Sequence, residues 1–333
     1  MQHTRGRTAR RIGMAAGCLA ALAIATGGSA QAGNLEPAGI NLGGTIFFDG
    51  FGGTSPGLSY LGYYQYSHLD RIVDNNGNSV GVIPAPRIDV LTVVNQLAYT
   101  TGETFFGGQA HLGFTGLLPL LHFNTSVGPG SVIPLSSQDG FGDLTLGADL
   151  QFNPVIESGR PVFSQRVELD LIAPIGRYST SINVNPGAHF WSLSPYWAGT
   201  WLPTPKTEVS LRLNYLYNFS NSDTGIPGVS SDRAGQAAWA NFAMSYAVTP
   251  TLNVGINGYY FRQLTADTYT AANPTLAALM NGDTGKAQFL AIGPGLYWKA
   301  GPTNIWSVNL YRQTDVRNHT GGDVLNVHWL HPF

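Results

Sequence analysis

The sequence predicts an all-β chain that closes into a transmembrane antiparallel barrel of about twelve strands, and three observations carry this. The first is the final stretch, where Leu325, Val327, Trp329 and Phe333 share one face and Asn326 and His328 the other. A strand between lipid and lumen needs this period of two, and in a closed barrel the last strand also pairs with the first. The second is an export signal: Arg5, Arg7, Arg10 and Arg11, an apolar run from Ile12 to Thr26, then Ser29-Ala30-Gln31-Ala32. A basic start, a short apolar core and a small-x-small site predict cleavage after Ala32. The third is composition. Charged residues make up 11% and glycine is abundant at 42 residues, yet no run of 18 apolar residues follows the signal. An ordinary soluble domain carries about 25% charge, and a spanning helix needs such a run, so alternation along strands is the arrangement left.

Cys18, the one cysteine of the chain, lies in the signal, so the exported protein is expected to hold no disulfide and no thiolate metal site. The signal also carries four of the 17 Lys+Arg and none of the 19 Asp+Glu. A mature chain starting at Gly33 is therefore acidic, which excludes a basic nucleic-acid footprint.

Alternation is clearest from Phe141 to Phe152, with Leu144, Leu146, Ala148, Leu150 and Phe152 on one face and Asp143, Thr145, Gly147, Asp149 and Gln151 on the other. The next strand places Val167, Leu169, Leu171 and Ala173 outward against Arg166, Glu168 and Asp170 inward. Further strands are expected near Leu58–Leu69, Ile88–Thr100, Phe105–Phe123, Phe190–Trp201, Glu208–Phe219, Gln236–Val248, Leu252–Leu264, Gln288–Trp298 and Asn304–Gln313. Aromatic residues near strand ends, such as Trp201, Trp298 and Trp329, match interfacial girdles.

Short links at Asn153–Pro161, Pro203–Pro205, Thr249–Thr251 and Lys299–Pro302 read as periplasmic turns. Longer ones at Pro174–Ala188, Ser220–Ala234, Thr265–Lys286 and Thr314–Gly322 read as extracellular loops. Counting back with this alternation, Leu58–Leu69 is the first strand. The domains are then a signal over 1–32, a non-barrel segment over 33–56 and the barrel over 57–333. Phe47, Phe48, Asp49 and Phe51 form an aromatic, glycine-rich cluster in that segment and are expected to plug the periplasmic mouth. The alternative is a fourteen-strand barrel in which this region adds two strands.

Several stretches resemble a proteobacterial outer-membrane family named after the phenol meta-cleavage degradation pathway. They include Asn41-Leu42-Gly43-Gly44, Phe47-Phe48-Asp49-Gly50-Phe51, Gly159-Arg160-Pro161-Val162-Phe163-Ser164 and Phe190-Trp191-Ser192-Leu193-Ser194-Pro195-Tyr196. Thr200-Trp201-Leu202-Pro203-Thr204-Pro205, Asn214-Tyr215-Leu216-Tyr217-Asn218-Phe219 and Ile292-Gly293-Pro294-Gly295 continue the series. The resemblance implies a transporter barrel related to hydrocarbon and fatty-acid channels with an amino-terminal plug, and implies no catalytic residues.

Residues expected to line the lumen are Asp143, Asp149, Arg166, Glu168, Asp170, Arg212, Asn214, His111 and His328. His328 and His331, three apart on a strand, point to opposite faces and cannot share a metal ion. No Gly-x-Ser-x-Gly elbow occurs, so no catalytic residue, cofactor or metal is assigned. The expected function is passive uptake of small hydrophobic or aromatic compounds through a narrow lumen. A structural or surface-interaction barrel, and after it an outer-membrane lipid hydrolase, are the alternatives. Expected partners are outer-membrane lipid, the solute, and the outer-membrane assembly machinery, with Trp329 and Phe333 as its signal.

Overall fold

The computed structural model describes Pro37 and residues 40–45, 47–282 and 285–333, so the expected signal peptide lies outside the described residues. Among them, twelve antiparallel strands close on themselves. In chain order these are β1 (Gly57–Ile72), β2 (Arg87–Phe105), β3 (Ala110–Ser126), β4 (Leu144–Phe152), β5 (Arg160–Ala173) and β6 (Ser192–Trp201). They continue with β7 (Thr207–Asn218), β8 (Ala237–Ala247), β9 (Leu252–Gln263), β10 (Gln288–Lys299), β11 (Ile305–Arg317) and β12 (Thr320–Pro332). Each pairs with its neighbours, and β12 returns to β1 from Ser59↔Pro332 to Ile72↔Thr320, while Phe333 N donates to Leu58 O at 2.9 Å. Closure leaves no open edge in the wall, the condition for crossing hydrocarbon with strands.

The strands form where alternation is strongest. Leu146, Leu169, Met244, Ile256 and Leu310 are exposed on the outside, and Thr145, Ser210, Asn241, Asn257 and Asn309 are buried inside. Trp329 sits on the outer wall between Tyr60, 5.4 Å away edge-on, and Trp306, stacked at 5.6 Å, forming part of a girdle at the periplasmic end. The molecule is an outer-membrane β-barrel with a lipid-facing aliphatic band.

Three differences from the sequence-based expectation have local causes. The loop expected at Thr314–Gly322 is mostly strand: β11 and β12 run on until Asn318 and His319 turn the chain, with Asn318 at φ 46°, a left-handed position that asparagine tolerates. The β2–β3 hairpin runs to Phe105 and Ala110 rather than stopping near Thr100, because pairing resumes at Thr104↔His111 after an irregularity. Residues 40–45 and 47–53 form turns and bends inside the barrel, which excludes the fourteen-strand alternative. Pairing also pauses at two prolines that lack a backbone donor. The β6–β7 ladder skips from Leu193↔Tyr217 to Tyr196↔Asn214 around Pro195, and the β10–β11 ladder from Ile292↔Arg312 to Gly295↔Asn309 around Pro294.

The inside is less uniformly polar than alternation suggests. Tyr259, Phe261, Phe289 and Tyr311 are fully buried on the inner faces of β9, β10 and β11, with Phe261 and Phe289 stacked at 5.0 Å. They pack with Phe47 and against Ile40, Leu42 and Phe48 of the amino-terminal segment. One side of the lumen is therefore dry and filled.

Above the barrel, residues 229–233 and 268–271 pair as a small extracellular sheet between two loops, one of which carries the helix Pro274–Met280. Asp232, in this sheet, is 3% exposed and neither carboxylate oxygen receives a hydrogen bond of ordinary geometry. Burial, with the negative charge of Asp267 added, pushes it up to about 8, and burial pushes Asp267 up to about 6.

The wall assignment predicts that Leu146→Arg, at a side chain 50% exposed on the lipid face, costs about 2 to 4 kcal/mol. Thr145→Arg, 5% exposed and facing the lumen cavity, costs far less. Equal destabilisation in urea titrations of the refolded protein would refute the facing. For the cap, a carboxyl raised from 3.8 to about 8 makes the closed sheet hold a proton that the opened one releases. Its stability is full below pH 3.8 and is lost as pH rises to about 8. Amide protection over 229–233 should accordingly fall from pH 5 to pH 8.5 after correction for intrinsic exchange, and Asp232→Asn should flatten the dependence.

Candidate functional site: a lumen cavity beside an inner plug

The amino-terminal segment lies within the barrel and is fastened to its wall by backbone and side-chain hydrogen bonds. Nearest the periplasmic turns, Gly50 N donates to Thr200 Oγ1 at 2.9 Å, and Gly50 O accepts from Ser164 Oγ at 2.9 Å and Gln151 Nε2 at 3.1 Å. A side chain on Gly50 would collide with Ser164 O and Thr200 N, so only glycine lets the backbone approach the wall this closely. Phe48 N donates to Glu208 Oε1 at 3.1 Å, and Ser245 Oγ holds the other oxygen of Glu208 at 2.7 Å. Deeper in, Asn41 O accepts from Trp239 Nε1 at 2.8 Å and Asn241 Nδ2 at 3.0 Å. Gly43 O accepts from the Tyr311 hydroxyl at 2.9 Å and Asn326 Nδ2 at 3.0 Å, with Gly43 at φ 72° over the Tyr259 ring.

The strongest attachment is ionic. Arg212 grips Asp49 with Nε on Oδ2 at 2.7 Å and Nη2 on Oδ1 at 2.6 Å, and Arg166 Nη2 lies 3.5 Å from Oδ1. The Arg212 guanidinium stands 4.0 Å over the Tyr196 ring, whose hydroxyl donates to Glu168. Arg166 Nε is 3.8 Å from Glu168 Oε2. Two guanidiniums thus serve the plug's carboxylate and the wall's, and the bidentate geometry holds Asp49 in a fixed orientation.

Between this plug and the barrel wall runs a cavity of about 540 Å³, bordered by residues of β1–β8 and β10–β12. Phe48, Phe51, Tyr63, Tyr196 and Tyr297 supply ring surface, with Phe48 and Tyr297 centroids 4.7 Å apart. Of the residues expected to line the lumen, Asp149, Arg166, Glu168, Asp170, Arg212, Asn214 and His328 face this cavity. Asp170 and Glu168 come together over Gly147, where any side chain would strike both carboxylates. His328 stacks on Tyr63 at 4.5 Å. Asn214 Nδ2 donates to Trp239 O at 3.3 Å.

Two of the expected residues stand elsewhere. Asp143 is fully buried at the extracellular end, accepting from Gly176 N at 3.0 Å and Ala188 N at 2.7 Å, so it braces the 174–188 loop rather than bordering the cavity. Burial raises its carboxyl above the usual range despite those two donors. His111 lies near the periplasmic turns against Asn153 Oδ1 at 2.9 Å and outside the cavity. Sequence reasoning missed Tyr196, Tyr63, Trp239, Asn241 and Glu208. Each is an inward residue of an alternating strand, so their facing was available, but the contacts of Glu208, Trp239 and Asn241 with plug residues about 160 to 200 positions away were not. Among the described residues no group of three His, Asp or Glu is placed to hold a metal ion.

Breaking the latch should free the plug without unfolding the wall. Asp49→Ala leaves Arg212 buried without its partner, a loss of about 3 kcal/mol or more. Amide exchange over residues 40–53 should then quicken by about a hundredfold while the barrel keeps its heat-modifiable migration. Unchanged exchange would show that the neutral hydrogen bonds alone hold the segment.

Comparison with known proteins adds a family and a fold. A family model described as "Putative MetA-pathway of phenol degradation" matches residues 69–329. The crystal structure of an outer membrane channel from Pseudomonas putida F1 superposes with a TM-score of 0.68 at 18% identity, covering 90% of this chain and 100% of that one. The translocator domain of the autotransporter NalP from Neisseria meningitidis gives 0.42 at 14% identity, covering 84% and 89%. A mutant of the TodX monoaromatic hydrocarbon channel gives 0.43 at 10% identity, covering 84% and 90%. No curated protein matches the sequence.

Proposed function

The chain belongs to the phenol-degradation family whose pattern spans most of its length, and from that premise we propose that it is an outer-membrane channel for passive uptake of small hydrophobic or aromatic compounds. The observation that carries this is the cavity of about 540 Å³ beside the plug, bordered by aromatic rings that include those of Phe48, Phe51, Tyr63, Tyr196 and Tyr297. Its size falls in the range of about 300 to 1,000 Å³ typical of small-molecule sites. A barrel of twelve strands is wider than side chains alone can fill and narrower than an open porin, so a plug leaves a confined path. Rings along that path offer apolar contact at every step, and the two fixed guanidiniums with their carboxylates limit what passes through the middle.

Flux tests this. Purified protein in liposomes should admit toluene or benzyl alcohol faster than protein-free liposomes do. Removal of residues 33–53 behind an intact signal peptide should give a folded barrel of higher and less selective conductance. Absence of flux in both proteins would favour a structural or surface-interaction barrel.

A further inference from the structure

The outer wall at the extracellular end of β9, β10 and β11 carries a cluster of cations. Arg262 lies between the inward, buried Phe261 and Gln263, and Arg312 between the inward, buried Tyr311 and Gln313, so both guanidiniums point away from the lumen. Arg262 is the register partner of Gln288, and Gln288 that of Arg317. Arg262 and Arg317 therefore stand on strands two apart, with backbones about 10 Å from one another. Lys286, two residues before Gln288, is exposed beside them. Two acids accompany these four cations, Asp315 at 3.3 Å from Arg317 and Asp323 at 2.8 Å from Arg312. Among the described residues no carboxylate pairs with Arg262 or with Lys286, whose ammonium donates to Leu264 O at 2.9 Å. The cluster is net positive. Ile292 lies directly opposite Arg312 in the ladder, and Ile292, Leu310 and Ile256 are all exposed on the same outer face. The change from exposed aliphatic side chains to charge along one strand marks the level where hydrocarbon gives way to headgroups. On the β4–β7 side, the same end of the wall carries exposed Phe141, Trp191 and Phe219 instead.

We propose that this sector of the outer wall docks a bisphosphorylated glycolipid of the outer leaflet, the lipid A anchor of lipopolysaccharide. Its phosphates lie against Arg262, Lys286 and Arg317, and its acyl chains run down over Ile292, Leu310 and Ile256. One amphipathic molecule then satisfies both parts of the surface, the basic row and the aliphatic band beneath it. Guanidinium groups suit the upper part, because their planar fork takes phosphate oxygens two at a time. A soluble polyanion would meet the cations and leave the aliphatic band untouched. A zwitterionic phospholipid brings its own cation to a place that already has an excess of them. The docking is independent of whether the barrel passes a solute, since every residue it uses faces outward.

Native mass spectrometry of the full-length protein in detergent tests this, with bisphosphoryl lipid A, monophosphoryl lipid A or phosphatidylglycerol added in the presence of EDTA. A basic residue beside an anionic lipid strengthens binding by about a factor of five. Bisphosphoryl lipid A is accordingly expected to bind about fivefold more tightly than the monophosphoryl form, and the double variant Arg262→Gln, Arg317→Gln to weaken it by about twentyfold. The double variant Lys206→Gln, Lys299→Gln removes the same charge from exposed periplasmic turns and should leave binding unchanged. Folding of both is checked by heat-modifiable migration. Equal weakening by the two double variants overturns the proposal, because net charge alone would then be responsible. Equal binding of the two forms of lipid A by the unaltered protein overturns it whether or not a variant folds. Phosphatidylglycerol held as tightly as bisphosphoryl lipid A overturns it too, since any anionic lipid would then suffice.

Discussion

In hydrocarbon every backbone donor and acceptor must find its partner within the protein, and the pairing of β1 with β12 is the contact that makes this possible here. Without it the wall would end in two rows of bare N–H and C=O groups facing lipid. With it, the number of strands sets the diameter, and the diameter sets the remaining problem. A ring of twelve strands encloses more space than inward side chains fill, so something else must occupy or line the inside.

The molecule meets that need differently on its two sides. Along β9 to β11 the inner face is aromatic and packs as a dry core with Phe47 and the chain around it. Along β4 to β7 it is charged, and Arg212 and Arg166 reach the plug at Asp49. The segment is thus held by apolar contact on one side and by charge on the other. The cavity is the space left between the plug and the inner wall. Its mixture of rings and ionic groups follows from lying where the two kinds of inner face meet.

Charges buried in a lumen are costly unless paired, which explains why the acidic and basic residues of the inner wall cluster instead of spreading around the ring. Glu208 shows the same economy with neutral partners, its carboxylate taking Ser210, Ser245 and the backbone of Phe48. Asp232 is the exception in the extracellular cap, where burial beside a second acid raises its carboxyl to about 8.

What the sequence determined by itself was the wall. Alternation with a period of two locates the strands and, where it is unbroken as in Leu144–Phe152 and Arg166–Ala173, gives their lipid face, because facing depends only on a residue's neighbours two positions away. Loop lengths then orient the barrel, and the glycine-rich aromatic cluster marks Phe47 to Phe51 as something other than a strand. Tertiary structure alone decided what the inside does with those residues. Asp49 and Arg212 are separated by 163 positions, and no local pattern ties a carboxylate in a plug to a guanidinium on β7. Asp143 has the same facing as Asp149, yet its position at the end of β4 makes it a brace for a loop, while Asp149 borders the cavity. Facing is a local property carried by the backbone, whereas depth along the axis and the partner across the lumen exist only once twelve strands have closed.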